Sequence, residues 1–234
     1  MEETTCAAAE PQPVAALGTE ARSAFLIRTY AHLYGAIVAF TLLEAFFFTT
    51  GLARPMAAAM LGTSWLLVLG GFVVVSWIAS HVAHRARSLA SQYAALGTCV
   101  IAEAIIFVPL LFMAQFFAPG TIQSAALVTL VGFALLTGVA VWTRQDLSFL
   151  GGMLRWAFAV ALLLIVAGAI WGFELGPMFS VAMVGLAGAA ILYDTSNVLH
   201  HYPEDRYVGA SLELFASVAL MFWYVLRLFL ASDD

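Results

Sequence analysis

Four carboxylates stand in stretches that are otherwise almost wholly apolar: Glu44, Glu103, Asp194 and Glu213. A charge in such a stretch is expensive when lipid surrounds it, so it reaches the headgroup zone, faces a protein partner or lines a water-filled path. Glu44 lies toward the end of its stretch and is expected to snorkel to the interface. Glu103 lies in mid-stretch, where a hydrogen bond to a neighbouring helix and a functional role both fit. Asp194 and Glu213 flank one short connection and are the more informative pair. Roughly seven residues separate each from that connection, so at 1.5 Å per residue both carboxyls sit at similar depth on antiparallel helices. Ser217 lies one turn beyond Glu213 on the same helix face. Two carboxyls brought together cannot both ionise cheaply and titrate as a unit. The plainer alternative is a static interhelical hydrogen bond for Asp194 and a headgroup position for Glu213.

The remaining reactive residues exclude more than they suggest. His81 and His84 adjoin Arg85 and Arg87, and His200 neighbours His201; both pairs sit at the edges of apolar runs and read as interfacial. They lack the clustering a zinc hydrolase needs. All nine cations among Lys and Arg are arginines, so no Schiff base can form. Ser211 follows Gly209 and Ala210 as a nucleophile might, yet no histidine comes after it. Cys6 and Cys99 form no zinc pattern, and a disulfide between a polar tail and an apolar run is not expected. No catalytic residue, cofactor or nucleic-acid partner is expected, with a net charge of −5 and no basic patch.

The elements that carry these residues follow from composition. Apolar residues make up 63% of the chain and charged residues 10%, against roughly a quarter charged in soluble domains. The runs are continuous rather than alternating, so they read as helices, each near the ~20 residues needed to cross a bilayer. Spans are expected at 30–51, 58–80, 90–114, 121–143, 150–172, 177–200 and 207–231. Arg54-Pro55, Ala118-Pro119-Gly120 and Gly176-Pro177 supply breaks, and Asp146 reads as an N-cap for the fifth span. Residues 1–24 are expected as a mobile cytoplasmic tail, and residues 25–234 as a seven-helix domain in the lipid bilayer.

Two stretches carry a family likeness. Thr143-Arg144-Gln145-Asp146-Leu147-Ser148-Phe149-Leu150-Gly151-Gly152 resembles the loop motif of the Bax inhibitor-1 family. Ile191-Leu192-Tyr193-Asp194-Thr195-Ser196-Asn197-Val198-Leu199-His200 resembles its sixth-helix motif. Tyr207-Val208-Gly209-Ala210 and Leu226-Arg227-Leu228-Phe229 fit its last helix, and the wording is nearest the bacterial YccA-type branch. The resemblance implies an all-α bundle with the last helix enclosed by the other six. It also implies, for some members, a pH-sensitive calcium leak governed by two aspartates on the last two helices, one of them latched by an arginine. Asp194 matches the first aspartate. Ser217 occupies the place of the second, with Glu213 one turn earlier as a substitute. Glu103 completes the expected ion path, and the latch falls among Arg85, Arg87 and His84. The YccA-type branch implies a different role, as a regulatory partner that restrains the membrane-anchored protease FtsH without any transport, in a bacterial inner membrane.

Orientation follows from the arginines. With seven spans, Arg22, Arg28, Arg85, Arg87, Arg144, Arg155 and Arg206 fall on one side, and Arg54 and Arg227 on the other. The positive-inside rule then predicts a cytoplasmic N-terminus and an external, periplasmic C-terminus. Reporter fusions ahead of Arg22 and after Asp234 are expected to show opposite sides; both ends on one side would remove the seven-span topology.

Overall fold

Backbone N–H and C=O groups have no water to bond inside lipid, so each crossing segment must satisfy its own as a helix. The computed structural model describes residues 13–85, 88–143 and 145–231. Its helices are α1 (Thr19–Thr49), α2 (Ala53–Leu61), α3 (Trp65–Arg85), α4 (Leu89–Phe117), α5 (Thr121–Thr143), α6 (Leu150–Trp171), α7 (Pro177–His200) and α8 (Tyr207–Leu230). Among the described residues seven of these, all but α2, are long and apolar enough to cross a bilayer. Side chains that would be unacceptable on a water-facing surface point outward, with Leu67 71%, Leu163 68% and Trp142 90% exposed. Such broad apolar exposure is a lipid-facing surface.

The last four expected spans coincide with α5 to α8 to within a residue. Two earlier expectations change. The second span, expected at 58–80, is two elements: Gly62 N–H closes α2 on the Ala58 carbonyl at 2.9 Å, and α3 starts afresh at Trp65. The Thr63 hydroxyl donates to the Ala59 carbonyl at 2.8 Å, the kind of local bond that competes with helix continuation. α2 instead lies against α4, with Ala53 and Ala57 packed on Val108.

The boundary placed at residue 24 is not a structural break. α1 already begins at Thr19, and a 3-10 turn spans Val14–Ala16. Val14 is fully buried, its N–H donates to the Tyr202 carbonyl at 2.9 Å, and Pro13 bridges to Pro203. Polar composition around Val14 and Leu17 hid this anchor. Residues 1–12, the rest of the expected tail, lie outside the described residues.

This anchor ties the start of the chain to the α7–α8 connection, here called the N-face. At the opposite end, the C-face, Arg227 donates to the Leu175 carbonyl in the α6–α7 loop at 3.1 Å. Pro13 and Ala231, the first and last described residues, therefore lie at opposite ends of the bundle. Arg22, Arg28, Arg85, Arg155 and Arg206 lie toward the N-face, and Arg54 and Arg227 toward the C-face.

α4 and α8 are the most buried spans. α8 packs directly on α1, α3, α4, α5 and α7. Toward α6 a crevice intervenes, so direct packing by all six spans is not what the structure shows. The start of α8 is set by two contacts. A Cβ on Gly209 would lie 3.0 Å from the Ala83 carbonyl oxygen, so the glycine lets α3 approach closely. Gln92, fully buried on α4, donates to the Asp205 carbonyl at 3.1 Å and accepts from Gly209 N–H at 3.3 Å.

Candidate functional site

The crevice between α3, α4, α6, α7 and α8 has a volume of about 840 Å³. It extends from Glu174, Leu175 and Arg227 at the C-face to Gly151 and Arg155 in the first two turns of α6 at the N-face. Glu103, Asp194, Glu213 and Ser217 all line it. The helices bring them there from three directions, α4 carrying Glu103, α7 carrying Asp194 and α8 carrying the other two. The four side chains therefore line one crevice.

The two late carboxylates do not bond each other; each takes a serine hydroxyl from a neighbouring helix. Ser217 Oγ donates to Asp194 Oδ2 at 2.5 Å across the α7–α8 seam. Ser80 Oγ on α3 donates to Glu213 Oε1 at 2.5 Å. Charge-assisted O–H···O⁻ bonds have this length. Asp194 is thus both held by an interhelical hydrogen bond and exposed to the crevice. Glu213 lines the crevice, and its side chain keeps 24% exposure. No hydrogen bond among the described residues reaches Glu103, which is 7% exposed. The interhelical bond considered for it is absent, and its carboxyl contributes bare oxygens to the crevice wall.

Among the described residues the expected arginine latch is not formed: no arginine there pairs with a carboxylate, and Arg87 lies outside them. Arg85 ends α3 without reaching Asp194. His84 does approach a carboxylate, but that of Glu213, at 3.4 Å. Its Nδ1 donates to the Ser80 carbonyl at 2.9 Å, which fixes the tautomer. The geometric reason is register: His84 lies one turn beyond Ser80 on α3, level with Glu213 and farther toward the N-face than Asp194. Glu44 also departs from expectation. It does not snorkel; it is 7% exposed, and both its carboxylate oxygens lack a hydrogen-bond partner.

The two stretches of family likeness form one unit. Leu147 N–H donates to Ser196 Oγ at 2.9 Å, and Asp146 Oδ2 accepts from His201 Nε2 at 3.0 Å. A Cβ on Gly151 would lie 2.8 Å from the Tyr193 ring, so the glycine leaves room for that ring between α6 and α7 beside the crevice. Asp146 is not the N-cap of α6. Its Oδ1 accepts from Ser148 N–H at 2.9 Å in an Asx turn, and the helix begins later, at Leu150. Sequence reasoning missed Ser80, Ser76, Arg155 and Tyr193 on or beside the crevice wall. Ser80 sits one turn before His84 in an apolar helix, which was the available signal. Among the described residues no three His, Cys, Asp or Glu side chains converge closely enough to hold a metal ion. The crevice offers separate carboxylates, not a cage.

Comparison with known proteins gives a consistent picture. Residues 22–234 match the family model described as inhibitor of apoptosis-promoting Bax1. An Escherichia coli (strain K12) protein named modulator of FtsH protease YccA is 32% identical over 108 residues, 45% of this chain and 49% of the relative. An Arabidopsis thaliana BI1-like protein is 32% identical over 122 residues, 48% of this chain and 46% of the relative. The chain thus spans about half the length of these two relatives. A Golgi anti-apoptotic protein of Vaccinia virus (strain Lister) is 24% identical over 224 residues, 94% of this chain and 90% of the relative. None of these three names describes an enzyme.

The loop latch has a defined pH window. The Ser148 amide and the His201 imidazole hold the Asp146 carboxyl down to about 2, from the usual 3.8. A depressed carboxylate stabilises the fold fully above its unfolded value and loses that contribution as pH falls through its folded value. The latch therefore holds throughout the neutral range and fails only in strong acid. Asp146→Asn is expected to speed hydrogen exchange at the Ser148 amide several-fold at neutral pH, while the Leu147 amide, bonded to Ser196, exchanges as before. Unchanged exchange at Ser148 would show that the carboxylate does not order the loop.

Proposed function

This chain belongs to the Bax inhibitor-1 family, and on that premise we propose that its crevice is a pH-sensitive cation leak path, with Ca²⁺ among the ions that pass. The observation that carries the reading is the convergence of Glu103, Asp194 and Glu213 on one crevice that reaches toward both ends of the bundle. Ionisable side chains inside a span mark ion and proton pathways. Calcium would meet these oxygens in passing, with Asp194 and Glu213 as successive transient contacts. The bundle is an integral membrane protein, and the arginine-rich N-face is assigned to the cytoplasm of a bacterial inner membrane.

Asp194 is the sensor in this reading. An ionised Asp194 accepts the Ser217 proton and ties α7 to α8; a protonated one carries its own donor and no longer needs that hydroxyl. A serine in place of a second aspartate removes a like charge from the seam. The latch is then a neutral hydroxyl instead of an arginine.

Ca²⁺ entry into dye-loaded proteoliposomes, followed across about pH 5–8 where perturbed carboxylates titrate, tests this. Asp194→Asn is expected to flatten the pH dependence, and Ser217→Asp to steepen it by restoring a carboxyl pair. Flux no greater than in protein-free vesicles would remove the leak. A wild-type pH profile in Asp194→Asn would remove the sensor.

The likeness to a relative named as a modulator of FtsH favours a second reading, in which the chain restrains a membrane-anchored AAA protease and transports nothing. Pro13 is fixed at the N-face, toward which most of the described arginines lie, and the twelve residues that precede it in sequence are the candidate contact. Deleting residues 1–12 is expected to leave the bundle intact and weaken co-purification with an FtsH-type protease. Unchanged co-purification and turnover would rule out a tail-mediated contact.

A further inference from the structure

Glu44 belongs to a second cavity, on the opposite face of α8 from the crevice. Its volume is about 240 Å³, and it lies between α1, α4, α5 and α8. It opens sideways between α1 and α5, where Thr41 and Leu130 line it and are exposed. The mouth therefore faces lipid. Its walls are apolar apart from Glu44 and two threonines.

Three buried acceptors in this cavity have no partner: Glu44 Oε1, Glu44 Oε2 and Thr129 Oγ1. Glu44 is 7% exposed and Thr129 2%. Buried polar groups are almost always hydrogen-bonded, so an unpaired carboxylate beside an open cavity calls for a ligand. The rings of Phe40, Phe215 and Phe222 line the same space, with Phe40 and Phe215 edge to face at 6.2 Å between centroids.

We propose that this cavity binds a small lipid-soluble primary ammonium, its head on Glu44 and its apolar body among the phenyl rings. An ammonium brings three donors to three acceptors, and aromatic faces attract cations. An alcohol brings one donor, leaves a Glu44 oxygen unpaired and carries no charge to meet the carboxylate. A fatty acid brings a second carboxylate and is repelled. The volume lies below the ~300–1,000 Å³ of sites for drug-sized ligands, so the body is that of a fragment. The site is independent of the proposed leak.

The probe is 4-fluorophenethylamine, observed by ¹⁹F NMR with the full chain in phosphatidylcholine nanodiscs. Saturable line broadening is expected for the amine, with affinity at least tenfold weaker for 4-fluorophenethyl alcohol and in Glu44→Gln. Ala126→Phe, which fills the cavity from α5 without touching the carboxylate, is expected to abolish it, and so keeps the test decisive if Glu44→Gln fails to fold. Equal binding of amine and alcohol overturns the proposal, as does unchanged binding in either variant or no saturable signal. A signal lost in Asp194→Asn but kept in Glu44→Gln would place the amine in the crevice and also overturn it.

Discussion

An ionisable side chain inside a lipid-embedded bundle must be given partners from other helices, because lipid supplies none. The hydrogen bond from Ser217 to Asp194 is where this bundle meets that demand most directly. It joins the last third of α7 to the middle of α8, and α8 in turn packs on five of the other spans. Small residues make the closeness possible. Gly209 admits the Ala83 carbonyl and Gly151 admits the Tyr193 ring, so α3 and α6 can approach the same pair of helices from either side. Close backbone approach at small residues is the main route to tight packing when lipid removes the hydrophobic driving force between helices.

The polar bonds form a chain from the N-face inward. Pro13 and Val14 fix the α7–α8 connection, Gln92 fixes the start of α8, and Ser80 with His84 holds Glu213. Ser196 and His201 hold the loop ahead of α6. At the C-face Arg227 donates to the Leu175 carbonyl beside the crevice. At the N-face end of the crevice the family-like loop and the sixth-span motif lie against each other.

α8 also separates two cavities of different chemistry. On one side lies a long crevice with three carboxylates, two of them bonded to serine hydroxyls. On the other lies a small aromatic cavity whose carboxylate has no partner. Ala219 contributes to both walls.

Sequence alone settled what depends on local composition. Continuous apolar runs broken at Pro119-Gly120 and Gly176-Pro177 determined the later spans almost to the residue, since lipid leaves the backbone no choice but helix. Depth along a helix was legible to about one turn, because rise per residue is fixed: Asp194 lies level with Ser217, one turn farther in than Glu213. Rotation about the helix axis was not legible. It decides that Asp194 meets Ser217 instead of Glu213 or an arginine, that Glu213 meets Ser80, and that Glu44 turns into a cavity instead of toward the headgroups. The helices are apolar nearly all round, so their patterning carries no stripe to fix a facing side. Only the packing of small residues such as Gly151 and Gly209 against distant helices sets that angle.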